Sequence, residues 1–121
     1  MIGTRRYTGD IDLLHLGQQI HSAERVLVLT GAGISRASGL PTYRGTDGLY
    51  ADSDIAALHH AHGLPDSLPE LWGFWGPRRA TIAHAQPNAA HRAVAHFQRA
   101  STRVGRSDTL VTQNIDDLHE R

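Results

Sequence analysis

Two short stretches hold most of the residues whose types and spacing suit chemistry. The first is Thr30-Gly31-Ala32-Gly33-Ile34-Ser35, directly after the apolar run Val26–Leu29. The second is Thr112-Gln113-Asn114-Ile115-Asp116, directly after Leu110-Val111. A glycine pair after a strand lets the backbone approach phosphate oxygens without a Cβ in the way, and amides at the following helix start donate to the anion. Gly31, Gly33 and the small hydroxyl of Ser35 suit that task. Arg44, behind the proline-stiffened turn at Pro41, could reach a diphosphate or ribose as a donor-only cation; its bland role is a solvated loop arginine. Asn114 and Asp116 could bind ribose hydroxyls or an amide, and both residue types also serve as ordinary helix caps.

Other chemistries fit less well. The dehydrogenase fingerprint wants a third glycine where Arg36 stands, and an acidic residue ending a second strand roughly 20 residues on. Asp52 and Asp54 fall near that distance, but in a helix-like stretch. Asp116 and Asp117 face apart as neighbours and make a poor acid–base pair. His59, His60 and His62 have no obvious fourth metal ligand and read as a solvated helix end, while His119 reads as a packed or capping histidine. The chain contains no cysteine, which excludes a disulfide, a thiol nucleophile and a thiolate zinc site within it.

The elements that must position these residues follow from periodicity and punctuation. Asp10 can cap a helix over Ile11–Ile20, with Leu13, Leu16 and Ile20 on one face. After the strand Val26–Leu29 and the turn Gly31–Gly33, Ile34–Ser38 opens a helix that Gly39-Leu40-Pro41 cuts short. Thr42–Tyr50 reads as loop, and a short helix around Ser53–His60 ends near Gly63. Between Pro65 and Pro77, the cluster Leu71, Trp72, Phe74 and Trp75 predicts a small hydrophobic subcore, while Gly73, Gly76 and Pro77 argue against one long helix. Asn88 caps the clearest helix, running to about Ala100 with Ala90, Ala93, Val94 and Phe97 inward. Gly105–Asp108 is a turn into the second strand.

Helix, strand, helical excursion and strand make a crossover of the βαβ type. The expected fold is α/β: an incomplete doubly wound parallel, Rossmann-like sheet, with a helical insertion at about 45–87 between the two recognised strands. Such sheets bind ligands at the carboxyl ends of their strands, so the two loops should converge on one crevice.

The chain has 121 residues, enough for one domain with one modest core. Its 12 basic and 12 acidic residues balance, so no nucleic-acid or membrane partner is expected. Every basic residue is arginine, and nine scattered histidines make the surface weakly pH-sensitive. No segment approaches the roughly 20 apolar residues of a membrane span, and Met1–Thr8 lacks the apolar run of a signal peptide, so a cytoplasmic protein is expected.

Taken together, Thr30 to Ser35, Ser38-Gly39-Leu40-Pro41, Tyr43-Arg44, Gln86-Pro87-Asn88-Ala89-Ala90-His91, and Thr112 to Asp116 with Leu118-His119 resemble the sirtuins, NAD-dependent protein lysine deacylases. The resemblance runs from Val26 to Arg121. It implies that NAD is a co-substrate, consumed to give nicotinamide and an O-acyl-ADP-ribose, and that the partners are acyl-lysine proteins. By the same resemblance Gly31, Ala32, Gly33 and Ser35 would cradle the diphosphate, and Arg44 would lie against phosphate and ribose. Tyr43 stands where the family has a phenylalanine shielding the nicotinamide–ribose bond. Gln113 and Asn114 would address that ribose, and Asp116 with the Ile115 backbone the carboxamide; Asn114 and Asp116 are the catalytic candidates.

The departures carry expectations too. The resemblance puts the family's general-base histidine just beyond Arg121, and puts its zinc-binding cysteine module and later strands outside the chain. The chain is therefore expected to be the amino-terminal part of such a catalytic domain, with no zinc ligands and no activity by itself. Thr42 replaces the aspartate of the common deacetylase pattern, as in the branch that removes acidic acyl groups. That branch holds the acyl carboxylate with a tyrosine and an arginine three residues apart; Trp75 stands in the first place and Arg78 in the second. Open alternatives are a non-catalytic NAD- or ADP-ribose-binding remnant and, more distantly, an NAD-linked oxidoreductase.

Overall fold

The computed structural model describes residues 12–45, 48–51, 53–59 and 64–121. Its centre is a parallel pair of strands, β1 (Arg25–Thr30) and β2 (Ser107–Thr112), with Val28 opposite Leu110 and Thr30 opposite Thr112. Side chains alternate across a strand, so each strand has two faces. Val26, Val28 and Leu110 lie on the partly covered face, which α4 (Ala89–Arg103) packs against, whereas Leu27, Leu29 and Val111 lie exposed on the other. The strands come out one to three residues longer than their apolar runs, because the ladder continues through Arg25, Thr30 and Ser107–Thr109 wherever backbone pairing is available.

α1 (Leu13–Ser22) begins at Asp12, whose carboxylate accepts from the Leu14 and His15 amides at 3.0 Å. Asp10 and Ile11, the expected start, lie outside the described residues. The stripe Leu13, Leu16 and Ile20 is not core: all three are exposed, since no described element covers that face. The helix is instead tied down by Arg106, whose guanidinium donates to the carbonyls of Ile20 at 3.0 Å and His21 at 3.4 Å.

After β1 the chain makes a 3₁₀ helix, Ala32–Ser38, ended by Gly39 at φ +85°, a left-handed conformation that favours glycine. A return loop follows, where the Leu49 and Tyr50 amides donate to the Thr42 and Tyr43 carbonyls at 2.8 Å. Gly48 is required there, since a Cβ on it would come within 2.7 Å of the Arg44 backbone. A short 3₁₀ turn (Leu49–Ala51) and α2 (Ser53–Leu58) lead towards α3.

α3 corrects the sequence expectation. It is one 21-residue helix, Leu64–His84, with Pro69 and Pro77 inside it. An interior proline costs about 3 kcal/mol. Packing on both sides of Pro77 outweighs that cost: Leu71 is buried, Phe74 and Trp75 join an aromatic cluster, and Ile82 packs on the core of Leu40, Ala85 and Leu118. The predicted subcore also changes membership. Trp72 points outward; Trp75 meets Tyr43 and His59, Phe74 meets His59, and Tyr50 joins the cluster through Tyr43 and His59. In α4 the inward positions are His91, Val94, Phe97 and Ser101, so Ala90 and Ala93 of the predicted stripe face solvent. Of the buried polar residues in α4, Ser101 accepts from Arg106 at 3.1 Å, and His91 takes part in the capping box through Nδ1 while its Nε2 has no hydrogen-bond partner among the described residues.

Candidate functional site

Parallel pairing sends both strands out at the same end, so Gly31 and Gln113 leave side by side, and the Gln113 amide donates to the Thr30 carbonyl at 3.0 Å. One buried hydroxyl joins the two loops. Ser35 Oγ donates to Asp116 Oδ2 at 2.9 Å and accepts from Asn114 Nδ2 at 3.1 Å. The other oxygen of Asp116 accepts from the Leu118 amide at 3.2 Å, and Thr112 Oγ1 accepts from the Asn114 amide at 3.1 Å. Asn114 and Asp116 are thus held at the mouth of the crevice, while Asp117 turns to solvent and pairs with Arg121. Thr30 Oγ1 bonds His119 Nε2 at 3.0 Å, and the His119 ring packs edge-on against His91 at 4.9 Å, which makes His119 a packed histidine.

Two cavities open at these loops. One, about 560 Å³, is lined by Gly31, Ala32, Gly33, Tyr43, Arg44, Gln113 and Asn114. The other, about 310 Å³, is lined by Ser35, Tyr43, Trp75, Arg78, Asn114, Ile115 and Asp116, with Leu40, Leu49 and Ile82. Both share Ala32, Tyr43 and Asn114, so they meet at the point where the two motifs touch. All twelve residues singled out from the sequence line one cavity or both. Burial, with Tyr50 and then Asp116 adding to it, holds the Tyr43 phenol above the usual tyrosine range, so it is a neutral hydroxyl at neutral pH.

A family model described as the Sir2 family matches residues 31–121. The chain belongs to that family. Among similar proteins, one named NAD-dependent protein deacylase from Daphnia pulex is 39% identical over 102 residues, covering 84% of this chain and 37% of that protein. NAD-dependent protein deacylase 1 of Pseudomonas aeruginosa is 45% identical over 100 residues, covering 82% and 38%. A solved Sir2 homologue in complex with ADP-ribose superposes with TM-score 0.74 at 37% identity, covering 88% of this chain and 41% of that one. A Sir2 homologue–NAD complex gives 0.74 at 35% identity, covering 96% and 44%. This Sir2-family chain therefore spans about two fifths of the length of the relatives it matches, and its fold is the Rossmann-like α/β type expected, as an incomplete sheet.

NAD fits the residues present in this Sir2-family crevice. Neither Gly31 nor Gly33 needs to be glycine for the backbone, as neither has a positive φ, and a Cβ on either would meet nothing within 4 Å. The space above them is open to a ligand and bordered by the Arg44 cation and the Gln113 and Asn114 amides. Arg78 borders the second cavity but folds back on its own helix, with Cζ 3.5 Å above the Phe74 ring and Nη1 donating to the Phe74 carbonyl at 2.7 Å. Among the described residues no three His, Cys, Asp or Glu gather to hold a metal; His60 and His62 lie outside them. Leu49 and Ile82 also line this cavity, and nothing in their spacing pointed there, because only the return loop and the continuous α3 bring them in.

Proposed function

We propose that this chain is the amino-terminal, NAD-facing part of a protein lysine deacylase, with the acyl-lysine entering beside Trp75 and Arg78. The observation that carries the reading is the Ser35 hydroxyl bridging Asn114 and Asp116, which ties the glycine loop to the second motif at the junction of the two cavities. Bound NAD would supply a ribose carbon able to accept the acyl oxygen as nicotinamide departs. The chain's own residues bind and orient: Gly31, Ala32, Gly33 and Arg44 face the diphosphate cavity, Gln113 and Asn114 offer polar groups to a ribose, and Ile115 with Asp116 offers them to a carboxamide. Tyr43 screens the junction from water. Holding reactants in place in this way supplies much of an enzyme's rate. Support for the substrate class comes from the relatives' names and from a Sir2 structure holding a deacetylated p53 peptide with 3′-O-acetyl ADP-ribose.

Titration of the 121-residue protein with ADP-ribose and NAD tests the nucleotide half of the reading. Gly33→Ala should leave stability within about 1 kcal/mol, because the added methyl meets no protein atom, and should weaken binding. Equal affinity in both proteins would remove the glycine loop from the site. The catalytic half is tested by nicotinamide release with an acyl-lysine peptide. On this reading the 121-residue protein should give none, because the family resemblance implies a general-base histidine outside residues 1–121, and loss of a general base costs about 10²–10⁴-fold. A chain extended to the length of its relatives should turn over. An extended chain that binds NAD without turnover would favour the alternative, a non-catalytic NAD- or ADP-ribose-binding module.

For the acyl group, Arg78 is partly engaged by Phe74 and Trp75 offers a single N–H, so discrimination for a carboxylate-bearing acyl chain should be moderate. Arg78→Met in the extended enzyme should lower the succinyl-to-acetyl ratio of kcat/KM; an unchanged ratio would remove Arg78 from the acyl site.

A further inference from the structure

Asn88 stands where α4, the 3₁₀ helix and the crevice meet. As the N-cap of α4 its side-chain oxygen accepts from the Ala90 amide at 2.8 Å, and its own backbone amide donates to His91 Nδ1 at 3.3 Å. Any good capping residue would satisfy α4. The other end of the carboxamide does what a cap does not need. Nδ2 donates to the Ile34 carbonyl at 2.7 Å and to Ser38 Oγ at 2.9 Å, so both of its hydrogens are used on partners 54 and 50 residues away in sequence. Ile34 and Ser38 flank Ser35 on the 3₁₀ helix.

We propose that Asn88 is a positioning residue for the crevice: it clamps the 3₁₀ helix on both sides of Ser35 and so fixes the hydroxyl that bridges Asn114 and Asp116. A seven-residue 3₁₀ helix is a weak element, and this one has no side-chain cap at Gly31. It needs an external hold. Only a carboxamide accepts at one end and donates twice at the other, so Asp, Ser or Thr at position 88 could cap α4 without clamping its neighbour. The geometry of the clamp is independent of the ligand, and only the effect on affinity rests on the nucleotide reading.

The test uses the 121-residue protein, with amide hydrogen exchange and an ADP-ribose titration on wild type, Asn88→Asp and Ser38→Ala. In Asn88→Asp the α4 amides should keep their protection within about twofold, while the Gly39 and Leu40 amides, bonded to Arg36 and Ser35 carbonyls, should exchange about tenfold faster. Affinity for ADP-ribose should fall about tenfold with them. Ser38→Ala, which removes one of the two clamp bonds and leaves the cap, should give a smaller loss confined to the same amides. Unchanged protection at Gly39 and Leu40, or a loss spread equally over α4, would make Asn88 a helix cap and nothing more. If Asn88→Asp fails to fold, Ser38→Ala decides by the same criterion. Wild type that shows the exchange pattern but no ADP-ribose binding would keep the clamp and overturn the nucleotide reading.

Discussion

Thr30, Ser35, His91 and Leu118 are buried around the carboxyl ends of the strands, whereas Leu27 and Leu29 on β1 are 66% and 60% exposed. The two regions are a few residues apart on the same ladder and are held in different ways. The carboxyl ends are cross-linked by side chains from distant segments, Ser35 to Asp116, Thr30 to His119 and Asn88 to Ile34, around the small core of Leu40, Ala85 and Leu118. The outer sheet face and α1 have apolar side chains with nothing described upon them. A polar cross-link satisfies its partners locally, but an apolar face is stabilised only in proportion to the area another layer removes from water. The candidate site is therefore the self-supporting part of this structure.

Truncations should divide along the same line. Leu118→Ala should cost about 2–5 kcal/mol, because the side chain is 1% exposed and its loss leaves a cavity in the core. Leu27→Ala should cost less than about 0.5 kcal/mol, as befits an exposed site. Urea midpoints that move equally for the two would erase the contrast between the regions. Ser35→Ala should come next, at about 1–3 kcal/mol, because it strips a partner from both Asn114 and Asp116. A midpoint matching wild type would mean that both groups find other partners.

Protonation sharpens the comparison further. Burial first, and the neighbouring His119 second, hold the His91 pKa below the usual histidine range, and its Nδ1 must stay unprotonated to accept from Asn88. The folded state then binds fewer protons than the unfolded chain, so this contribution is fully present above about pH 6.5 and is lost as pH falls below that value. Urea midpoints at pH 7.5 and 5.5 should differ more for wild type than for His91→Gln; equal differences would show that His91 does not couple to folding. The smallest effect should be that of Asp117→Asn. Its hydrogen bond from Arg121 holds the Asp117 carboxyl below the usual range, but the pair is exposed, and Arg121 keeps its bonds to the Ile82, Ala83 and Ala85 carbonyls. A resolvable loss would place that pair within the supporting network.

Much of the site was legible in residue type and order. Short apolar runs ending in Gly31–Gly33 and Gln113–Asp116 are local signals, and parallel pairing of β1 with β2 follows from the crossover between them. Other features were misread for one common reason. Pro77 and the flanking glycines looked like helix breakers, and the shared face of Leu13, Leu16 and Ile20 did not reveal that it would stay exposed, because propensity and periodicity describe what a segment offers and not what it meets. α3 has packed side chains on both sides of Pro77, buried Leu71 before it and partly buried Ile82 after it, and continues; α1 has a clean stripe and no described partner for it.

By itself the sequence determined the α/β class, the family, the two loops that face each other and the cap at Asn88, since strand periodicity, glycine placement and capping are decided within a few residues. Only the tertiary structure decided that Ser35 bridges Asn114 and Asp116, that Asn88 also clamps the 3₁₀ helix, that Arg78 lies on Phe74, and that His91 and Ser101 are inside. The Ser35 bridge and the Asn88 clamp depend on which donors and acceptors segments far apart in the chain bring within about 3 Å, a distance set by the packing of whole elements against each other; the Arg78–Phe74 contact is local but exists only because α3 continues through Pro77.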